Sequence, residues 1–473
     1  METLTVPAAQ PAAPALSQVT PTERKAHGKR LRDAMPREAH ADWRAPADRG
    51  DPIAILRAAD AAREPGLVPL RYGRMLPSPF TFYRGSAGVM AADLAATPVS
   101  GIHVQACGDC HLLNFGGFAT PERRLIFDIN DLDETLPAPW EWDVKRLVAS
   151  FVLAARDNGL SDAQGRDAAV TCAASYRRKM RDFAATDVLD VWYARIDDSA
   201  VLAMLPKKYR AQLQKRIAKA TAAGSHELVF PKLAGHAFGR VRIRDMPPTI
   251  FHPGPSHPGN LEIIRASVPQ YRETLAPDRR VLLDRYRVAD AAVKVVGIGS
   301  VGTLCMVVLM ISSNNSPLFL QLKQANASVL EAFAGKSAYP HHGQRVVMGQ
   351  QLMQPASDLF LGWATGTAGR QYYVRQLRDV KLPPLVETYD AEMLSIYGKL
   401  CGWALARAHA KAGDPGLISG YLGKGAQFDK AIGKFALAYA DQAERDHAAL
   451  KAAVRAGIVE VQVENRADNG ANQ

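Results

Sequence analysis

The sequence has no long apolar run and few cysteines. No stretch approaches the ~20 consecutive apolar residues that cross a bilayer, and the longest candidate, residues 304–311, has only the length of a strand. Residues 1–19 are rich in alanine and proline but lack the basic start and apolar segment of a secretory signal. Five cysteines, an odd number, favour a reducing compartment over a disulfide framework. We therefore expect a cytoplasmic protein with no membrane partner.

The sequence also lacks any recognisable DNA- or RNA-binding module, although its net charge is +11 and its pI is near 9.4. The densest basic stretch, residues 207–219, has the leucine and isoleucine spacing of a helix, so its charges are expected on a solvated helix face. Excess positive charge also suits an enzyme that attracts phosphorylated or acidic ligands. Composition thus disfavours nucleic acid as a partner, and no protein partner is evident.

Acidic and amide residues follow two apolar strands between residues 102 and 134. The first block, VQACGDCHLLNFGGF, leads from a strand into Asp109, His111 and Asn114. The second block, RLIFDINDLDE, leads from another strand into Asp128, Asp131, Asp133 and Glu134. If the strand ends meet, their oxygens form a hard site for Mg²⁺ and leave a carboxylate to orient a hydroxyl, as phosphoryl transfer requires. Acidic residues also form ordinary turns, but two such blocks in succession are hard to explain by turns alone.

The order of these residues resembles the catalytic segment of the aminoglycoside-phosphotransferase and choline-kinase branch of the protein-kinase-like fold. There a strand leads to G-D-x-H-x-x-N, a hairpin, a strand ending in D-F-D or D-x-E, and a helix with a buried Asp. The resemblance implies that Asp109 is the catalytic Asp, with His111 ordering its loop. It also implies that Asn114 and Asp131 bind the metal, with Asp128 as a rival for Asp131. Asp143, in WEWDVKRL, resembles the helix Asp that holds the catalytic loop through backbone N–H groups.

Three blocks, two of which overlap those above, resemble a bacterial family of uncharacterised proteins, domain of unknown function 2252. They are RMLPSPFTFYRG at residues 74–85, CGDCHLLNFG, and NDLDETLPAPWEWD. The resemblance covers residues from about 24 to about 447 and implies a family without implying a reaction. Arg84, at the end of the first block, is expected either to bind a phosphate through two hydrogen bonds or to brace Asp93 or a loop.

A glycine-rich loop in the second half of the chain predicts a nucleotide site. Gly297, Gly299 and Gly302 follow an apolar strand, and the same spacing occurs in Rossmann folds. A Rossmann loop opens a helix. Here two further strands follow instead, over residues 304–310 and 318–322, and the second leads to Lys323. This is the kinase order, in which the loop covers phosphates and the lysine pairs with them. Glu331, at a predicted helix start, is expected to pair with Lys323, although a lysine at a strand edge can also simply extend into solvent.

The predicted fold is α+β: a two-lobed protein-kinase-like fold, circularly permuted because the catalytic segment precedes the glycine loop. Alternation predicts the last strands of a small sheet at residues 344–353 and 371–377. A helix over residues 392–411, which contains LARAHA, is then expected beside the catalytic loop, with residues 88–96 as the alternative helix. Permutation is tolerated because the termini of compact domains commonly lie close together.

The expected boundaries are a disordered leader (1–20), a mostly helical large lobe (21–290), a β-rich nucleotide lobe (291–385), C-terminal helices on the large lobe (386–464) and a disordered tail (465–473). Within the large lobe, helices are predicted at residues 168–184 and 196–222, and a pair of short strands at residues 227–233 and 239–244.

Cys107 and Cys110 are separated by two residues, as in zinc and thiol-redox sites. Zinc needs a second pair of ligands, and the alternation of a strand opposes convergence of His103 and His111 with the two thiols. A redox pair would open a helix, which this stretch does not. We therefore expect neither a zinc site nor a redox-active pair.

These patterns predict an ATP- and Mg²⁺-dependent phosphotransferase that acts on a small molecule or a protein hydroxyl. Its ligands would be a nucleotide and an unidentified acceptor. Nucleotidyl transfer with ATP bound in reverse is an alternative, and so is a nucleotide-binding scaffold without turnover, although a pure binder has no need of Asp109. A metal-dependent hydrolase is a third, but the G-N-H-type motif of metallophosphatases is missing.

Overall fold

The computed structural model describes residues 19–222, 230–237, 240–254, 257, 260–377 and 380–463. Within these residues the chain is α+β, as expected. Up to residue 222 the elements are α1 (Pro21–Ala34), α2 (Pro52–Asp60), α3 (Val68–Met75), α4 (Pro79–Gly85), α5 (Ala87–Ala95), β1 (His103–Ala106), β2 (Phe115–Ala119), β3 (Leu125–Ile129), β4 (Leu136–Pro139), α6 (Trp140–Asp157), α7 (Asp162–Phe183), α8 (Val188–Tyr193), α9 (Asp198–Met204) and α10 (Lys207–Ala222).

The second half continues this numbering. Its elements are α11 (Phe230–Leu233), β5 (Ala234–Ala237), β6 (Arg240–Ile243), β7 (Ile250–Phe251), α12 (Leu261–Glu273), α13 (Pro277–Leu283), β8 (Tyr286–Lys294), β9 (Cys305–Ser312), β10 (Pro317–Gln324), α14 (Glu331–Ala334), α15 (His342–Met353), β11 (Gly362–Thr365), β12 (Gln371–Gln376), β13 (Lys381–Leu382), α16 (Ala391–Ala412), α17 (Pro415–Leu422) and α18 (Gln427–Arg455).

An antiparallel sheet of six strands, in the order β11-β12-β10-β9-β8-β7, holds the glycine loop and Lys323. Its central strand β9 is buried along its whole length because both faces of the sheet are covered. Alternate residues point to opposite faces: Met306, Val308 and Met310 pack in one apolar cluster, and Val307 and Leu309 pack in another. The strands predicted at residues 304–310, 318–322 and 371–377 are confirmed. The sheet also includes β7 and the start of β8, which precede residue 291.

Long helices α6, α7, α16 and α18 form the core of the large lobe, and α16 crosses α7 closely. Glycine permits this approach, because a Cβ at Gly402 would lie 2.2 Å from the backbone oxygen of Cys172. Helix α16 confirms the helix predicted over residues 392–411, and α5 confirms the one over residues 88–96.

The strand predicted at residues 344–353 is wrong, since these residues belong to helix α15. The side chain of His341 accepts a hydrogen bond from the backbone N–H of Gln344 and caps this helix. Val346, Gln350 and Met353 are buried at helical spacing, so the apparent alternation of the sequence concealed a 3.6-residue period.

Two further predictions need correction. The helix expected over residues 196–222 is interrupted before Pro206 and forms α9 and α10, because proline cannot donate the backbone hydrogen bond of a helix interior. Of the expected strand pair, residues 230–233 are helical and the hairpin forms from β5 and β6. The leader predicted at residues 1–20 and the tail at 465–473 lie almost entirely outside the described residues.

A buried ion pair joins strand β3 to helix α16. Both oxygens of Asp128 lie 2.9 Å from nitrogens of Arg407, and both side chains are completely buried. Burial raises the pKa of Asp128, and the charge of Arg407 opposes that shift. The strand that leads to the acidic block is therefore positioned by a helix from the end of the chain.

We predict that Arg407→Met destabilises the fold by about 3–5 kcal/mol, because it leaves the Asp128 carboxylate buried without its counter-charge. Urea denaturation measures the change in the free energy of unfolding. The exposed pair Arg265–Glu262 supplies the control, since Arg265→Met should cost less than about 1 kcal/mol. Combining Arg407→Met with Asp128→Leu should recover most of the loss. Equal effects of Arg407→Met and Arg265→Met would contradict the structural role of the buried pair.

Candidate functional site

The loop after β1 is held by a carboxylate from the first turn of α6. Asp143 accepts hydrogen bonds from the backbone N–H groups of Cys107 (2.6 Å) and Gly108 (3.0 Å). Gly108 has a φ of +86°, and a Cβ there would lie 2.3 Å from the backbone oxygen of Glu134. Only glycine meets both requirements, so the chain turns at this position and presents Asp109 to the cleft.

Helix α16 contacts this anchor from the other side. The Nε2 of His409, in the LARAHA segment, lies 3.1 Å from a carboxylate oxygen of Asp143, and its Nδ1 lies 2.9 Å from the hydroxyl of Tyr176. Just beyond the helix, Gly413 packs against Val104 of β1. The end of α16 therefore lies beside the start of the loop that carries Asp109, although the two are about 300 residues apart in sequence.

Asp109 is fixed by an arginine that the sequence did not single out. Arg146, buried on α6 one turn after Asp143, donates from Nε to Oδ1 of Asp109 at 2.6 Å and also contacts that oxygen through Nη2. The other oxygen, Oδ2, faces Gly299 of the glycine loop, where a Cβ would lie 3.8 Å away. His111 lies 4.0 Å from the same Oδ2, and burial lowers the pKa of His111 to about 3. Among the described residues no hydrogen bond is formed to Oδ2, so this oxygen can accept one from a ligand.

The β2–β3 hairpin brings the two predicted metal ligands to the same place. Asn114 donates from Nδ2 to the backbone oxygen of Asp109 at 2.7 Å. Its own backbone oxygen accepts a hydrogen bond from the backbone N–H of Asn130 at 2.7 Å. The register pairs Phe115, the first residue of β2, with Ile129, the last residue of β3. Asn114, just before β2, and Asp131, just after β3, therefore lie at the same end of the hairpin. Hydrogen bonding between the two loops therefore holds Asp109, Asn114 and Asp131 together.

Lys323 faces the acidic block across the cleft. Its Nζ contacts Asp133 and lies 3.6 Å from Asp131, and Asp133 also accepts a hydrogen bond from the Tyr373 hydroxyl at 2.6 Å. Burial alone would lower the pKa of Lys323, but the two carboxylates raise it. The partner expected from the sequence, Glu331, lies elsewhere: it contacts Ser328 and His342. The ion pair predicted between Glu331 and Lys323 does not form among the described residues.

Asp131 and Asp133 both face Lys323, but their pKa values shift in opposite directions. Burial alone would raise the pKa of Asp133, but Lys323 and Tyr373 outweigh it and lower the value to about 2. Burial and the neighbouring Asp133 raise the pKa of Asp131 to about 6. Lys323 and Arg375 oppose this shift without cancelling it, so the negative charge of Asp131 is only partly offset within the protein. A carboxylate in this state, beside an amide oxygen, suits a hard divalent cation such as Mg²⁺.

These groups line one cleft of about 780 Å³ between the six-stranded sheet and the large lobe. Asp109, His111, Asn114, Asp131 and Lys323 line it together with Gly297 and Gly299. Gly302 has a φ of +89° and turns the chain behind the loop, against Arg63. Asp128 does not reach the cleft, because it is buried against Arg407.

Two thiols near Asp109 lie close to the carboxylate of Asp143. One ligand atom from each of Cys107, Cys110 and Asp143 lies within 4.8 Å of the others, but Asp143 already accepts two backbone hydrogen bonds and contacts His409. The Cys110 thiol lowers the pKa of Cys107, yet burial outweighs it and raises the value to about 11. Burial also raises the pKa of Cys110. The thiolate that binds metals or reacts is therefore disfavoured.

Other residues at the site escaped the sequence patterns. Arg345 of α15 donates to the backbone oxygens of Thr135 (2.7 Å) and Asp133 (2.9 Å), so the helix mistaken for a strand holds the acidic loop. The only sequence signal for Arg146 is its spacing of three from Asp143, which places both on one helix face. Nothing local to Arg345 or Tyr373 indicates the loop that they contact.

A family model described as an uncharacterized protein conserved in bacteria (DUF2252) matches residues 63–453. No curated protein and no solved structure matches the chain. Among the described helices, none combines the length and apolar character needed to span a bilayer.

We predict that Mg²⁺ binding weakens as the pH falls through about 6, because a proton competes with the metal for Asp131. The rise in melting temperature caused by Mg²⁺ should be constant above about pH 7 and shrink below it. Without metal the stability of the protein has the opposite pH dependence. Because the pKa of Asp131 is raised in the folded state, the free energy of unfolding falls as the pH rises through about 6.

Asp131→Asn should remove both the Mg²⁺ response and its pH dependence, whereas Asp162→Asn, at an exposed site, should leave them unchanged. An unaltered Mg²⁺ response in Asp131→Asn would contradict the assignment of Asp131 as a ligand.

Proposed function

The chain belongs to the family of uncharacterized proteins conserved in bacteria (DUF2252), and for it we propose an ATP- and Mg²⁺-dependent phosphotransferase activity. One observation carries the proposal: Asp109, Asn114, Asp131, Lys323 and the glycine loop, which come from two distant parts of the sequence, line a single cleft. A structural role for any one of them is easy to find. Their convergence has the composition that phosphoryl transfer needs.

We further propose that the fold is protein-kinase-like and circularly permuted. In support, the glycine loop joins β8 to β9, Lys323 lies on β10, and α15 packs against β11 and β12. The contact of His409 with Asp143 also supports it, because the helix that should precede the catalytic loop is supplied by the end of the chain. A permutation reorders the chain without changing these contacts.

In the proposed reaction the glycine-loop N–H groups and Lys323 hold the triphosphate. Asn114 and Asp131 would hold Mg²⁺, which neutralises phosphate charge when bound. Asp109 accepts a hydrogen bond from the acceptor hydroxyl through Oδ2, since Oδ1 is occupied by Arg146. Arg146 therefore acts as a positioning residue that fixes which oxygen of Asp109 faces the acceptor.

Nucleotidyl transfer is a second candidate, and one feature of the cleft favours it. Around Lys323 the cleft is also lined by Lys294, Arg375, Lys381 and Gln321. The positive charge of Arg375 lowers the pKa of Lys381 to about 7, so positive groups are concentrated here. Such a cluster suits phosphates better than a nucleobase, and a nucleotide whose phosphates extend into it would present the α-phosphorus to the acceptor.

We predict that Mg·ATP raises the melting temperature, because a ligand that binds only the folded state stabilises it. Lys323→Ala should reduce the shift by more than half, since it removes the cation at the triphosphate. Lys336→Ala, at an exposed position on the same half of the chain, is the matched control and should leave the shift intact. If both variants respond to Mg·ATP like the parent, the nucleotide does not occupy this cleft.

We also predict that two carboxylate variants separate acceptor chemistry from nucleotide binding. Asp109→Asn should lower transfer at least about 100-fold and spare Mg·ATP affinity, because Asp109 acts on the acceptor. Asp131→Asn should weaken Mg-dependent ATP binding, because it removes charge that the metal requires.

Cell extract incubated with γ-labelled or α-labelled ATP identifies the reaction. Label from γ alone in an acceptor indicates phosphoryl transfer, and label from α indicates nucleotidyl transfer. Equal, zero transfer by parent and variants that still bind ATP would favour a nucleotide-binding scaffold.

A further inference from the structure

Residues 60–85, here called the strap, fasten the glycine loop to the large lobe. Arg63 contacts the backbone oxygen of Val301 and donates to that of Gly299 at 3.2 Å. Arg74 donates to the backbone oxygen of Val296 at 2.7 Å. The backbone N–H of Glu64 donates to Gly302 at 2.7 Å. The loop is thus held by side chains and backbone of the strap along its length.

The strap and its neighbours form a wall on the side of the cleft where Asp109 lies. At the tip of the glycine loop, a Cβ on Gly299 would lie 3.3 Å from the backbone oxygen of Arg84, in α4. Beyond the strap, Leu56, Ala59 and Val89 of α2 and α5 continue the wall. An acceptor must reach Asp109 inside this wall, and the space suits a small molecule better than an extended peptide.

Four buried nitrogen atoms of this region have no hydrogen-bond partner among the described residues: Nε of Arg63, Arg71 and Arg84, and Nδ1 of His111. All four residues line the cleft. A buried polar group without a partner costs about 1–3 kcal/mol, and folded proteins leave few of them. Of these four side chains, Arg84 alone makes no hydrogen bond or ion pair with the described residues, and it lines the cleft, so its guanidinium is the group best placed to bind oxygen atoms of a ligand.

The charges in the same region point to an anionic ligand. Arg63 and Arg71 share one carboxylate, Asp60, at 3.8 Å and 3.0 Å. Asp109 is already neutralised by Arg146. Burial lowers the pKa of Arg84, and the charge of Asp109 opposes that shift without a direct ion pair among the described contacts. Three guanidinium groups therefore face too little negative charge.

We propose that the acceptor is a small molecule that carries a phosphate or carboxylate group near its reacting hydroxyl, and that Arg84 binds this group. The inference rests on the proposed phosphotransferase function and deepens it by naming the acceptor class. The acceptor oxygen forms a bond to the γ-phosphorus while the bond from that phosphorus to the bridging oxygen breaks. ADP leaves, and the hydroxyl proton passes to Oδ2 of Asp109 and then to solvent.

Inorganic phosphate is the probe for the test. Titration calorimetry with the full chain should detect phosphate binding both without nucleotide and with saturating Mg²⁺ and β,γ-imido-ATP. Arg84→Gln should weaken phosphate binding about tenfold or more, because it removes a charge-assisted hydrogen bond. Arg84→Lys, which keeps the charge, should have a smaller effect. Arg279→Gln, at an exposed ion pair on α13, should have none. The melting temperature of each variant reports whether it is folded.

Phosphate binding that is absent, or equal in the parent and Arg84→Gln, overturns the anion site. Displacement of phosphate by the nucleotide analogue means that the unpartnered donors bind the nucleotide's own terminal phosphate, and it overturns the acceptor assignment. If phosphate binds through Arg84 but Mg·ATP does not bind at all, the phosphotransferase proposal fails separately.

Labelled extract filtered through a membrane that retains proteins tests acceptor size. The filtrate should contain a labelled compound that chromatography separates from ATP and inorganic phosphate and that is absent without the enzyme, whereas transferred label found only on retained protein would overturn the small-molecule assignment.

Discussion

The buried carboxylates near the loop that carries Asp109 constrain the rest of the fold, because a buried charge is tolerated only with a partner. Asp143 contacts His409, Asp128 pairs with Arg407, and Asp133 pairs with Lys323. Each partner lies more than 150 residues away in sequence. Helix α16 and the six-stranded sheet must therefore both dock on the segment that holds residues 128–143 before these charges can be buried. This requirement links the long helices to the six-stranded sheet.

The sequence predicted those parts of the site that depend on local patterns. Strands β9 and β10 are continuous apolar runs, the loop between β8 and β9 is marked by glycines, and Gly108 marks the turn before Asp109. Such features follow from backbone geometry and burial within a few residues. Asp143 was also identified in advance as the residue that holds the loop, and its two backbone hydrogen bonds have that geometry.

Choices between partners could not be predicted in the same way. Glu331 is the carboxylate that follows Lys323 in sequence, but the lysine pairs with Asp133, which precedes it by 190 residues. Residues 344–353 alternate like a strand, yet capping by His341 and packing against the acidic loop make them a helix. Both errors have one origin: the deciding contact comes from a segment distant in sequence, and no local periodicity encodes it.

Whether a buried charge has a partner within the protein distinguishes the candidate site residues from the structural ones. Asp128 is neutralised by Arg407 and Asp143 accepts two backbone hydrogen bonds, and neither residue lines the cleft. Asp131 shares one lysine with Asp133 and keeps a pKa of about 6, whereas Arg84 is a buried cation whose Nε has no partner among the described residues. Asp131 and Arg84 line one cleft but form no ion pair with each other among the described residues, so each retains its own cost of desolvation. The proposed metal-bound phosphate donor at Asp131 and anionic acceptor at Arg84 would supply each with the opposite charge that it lacks.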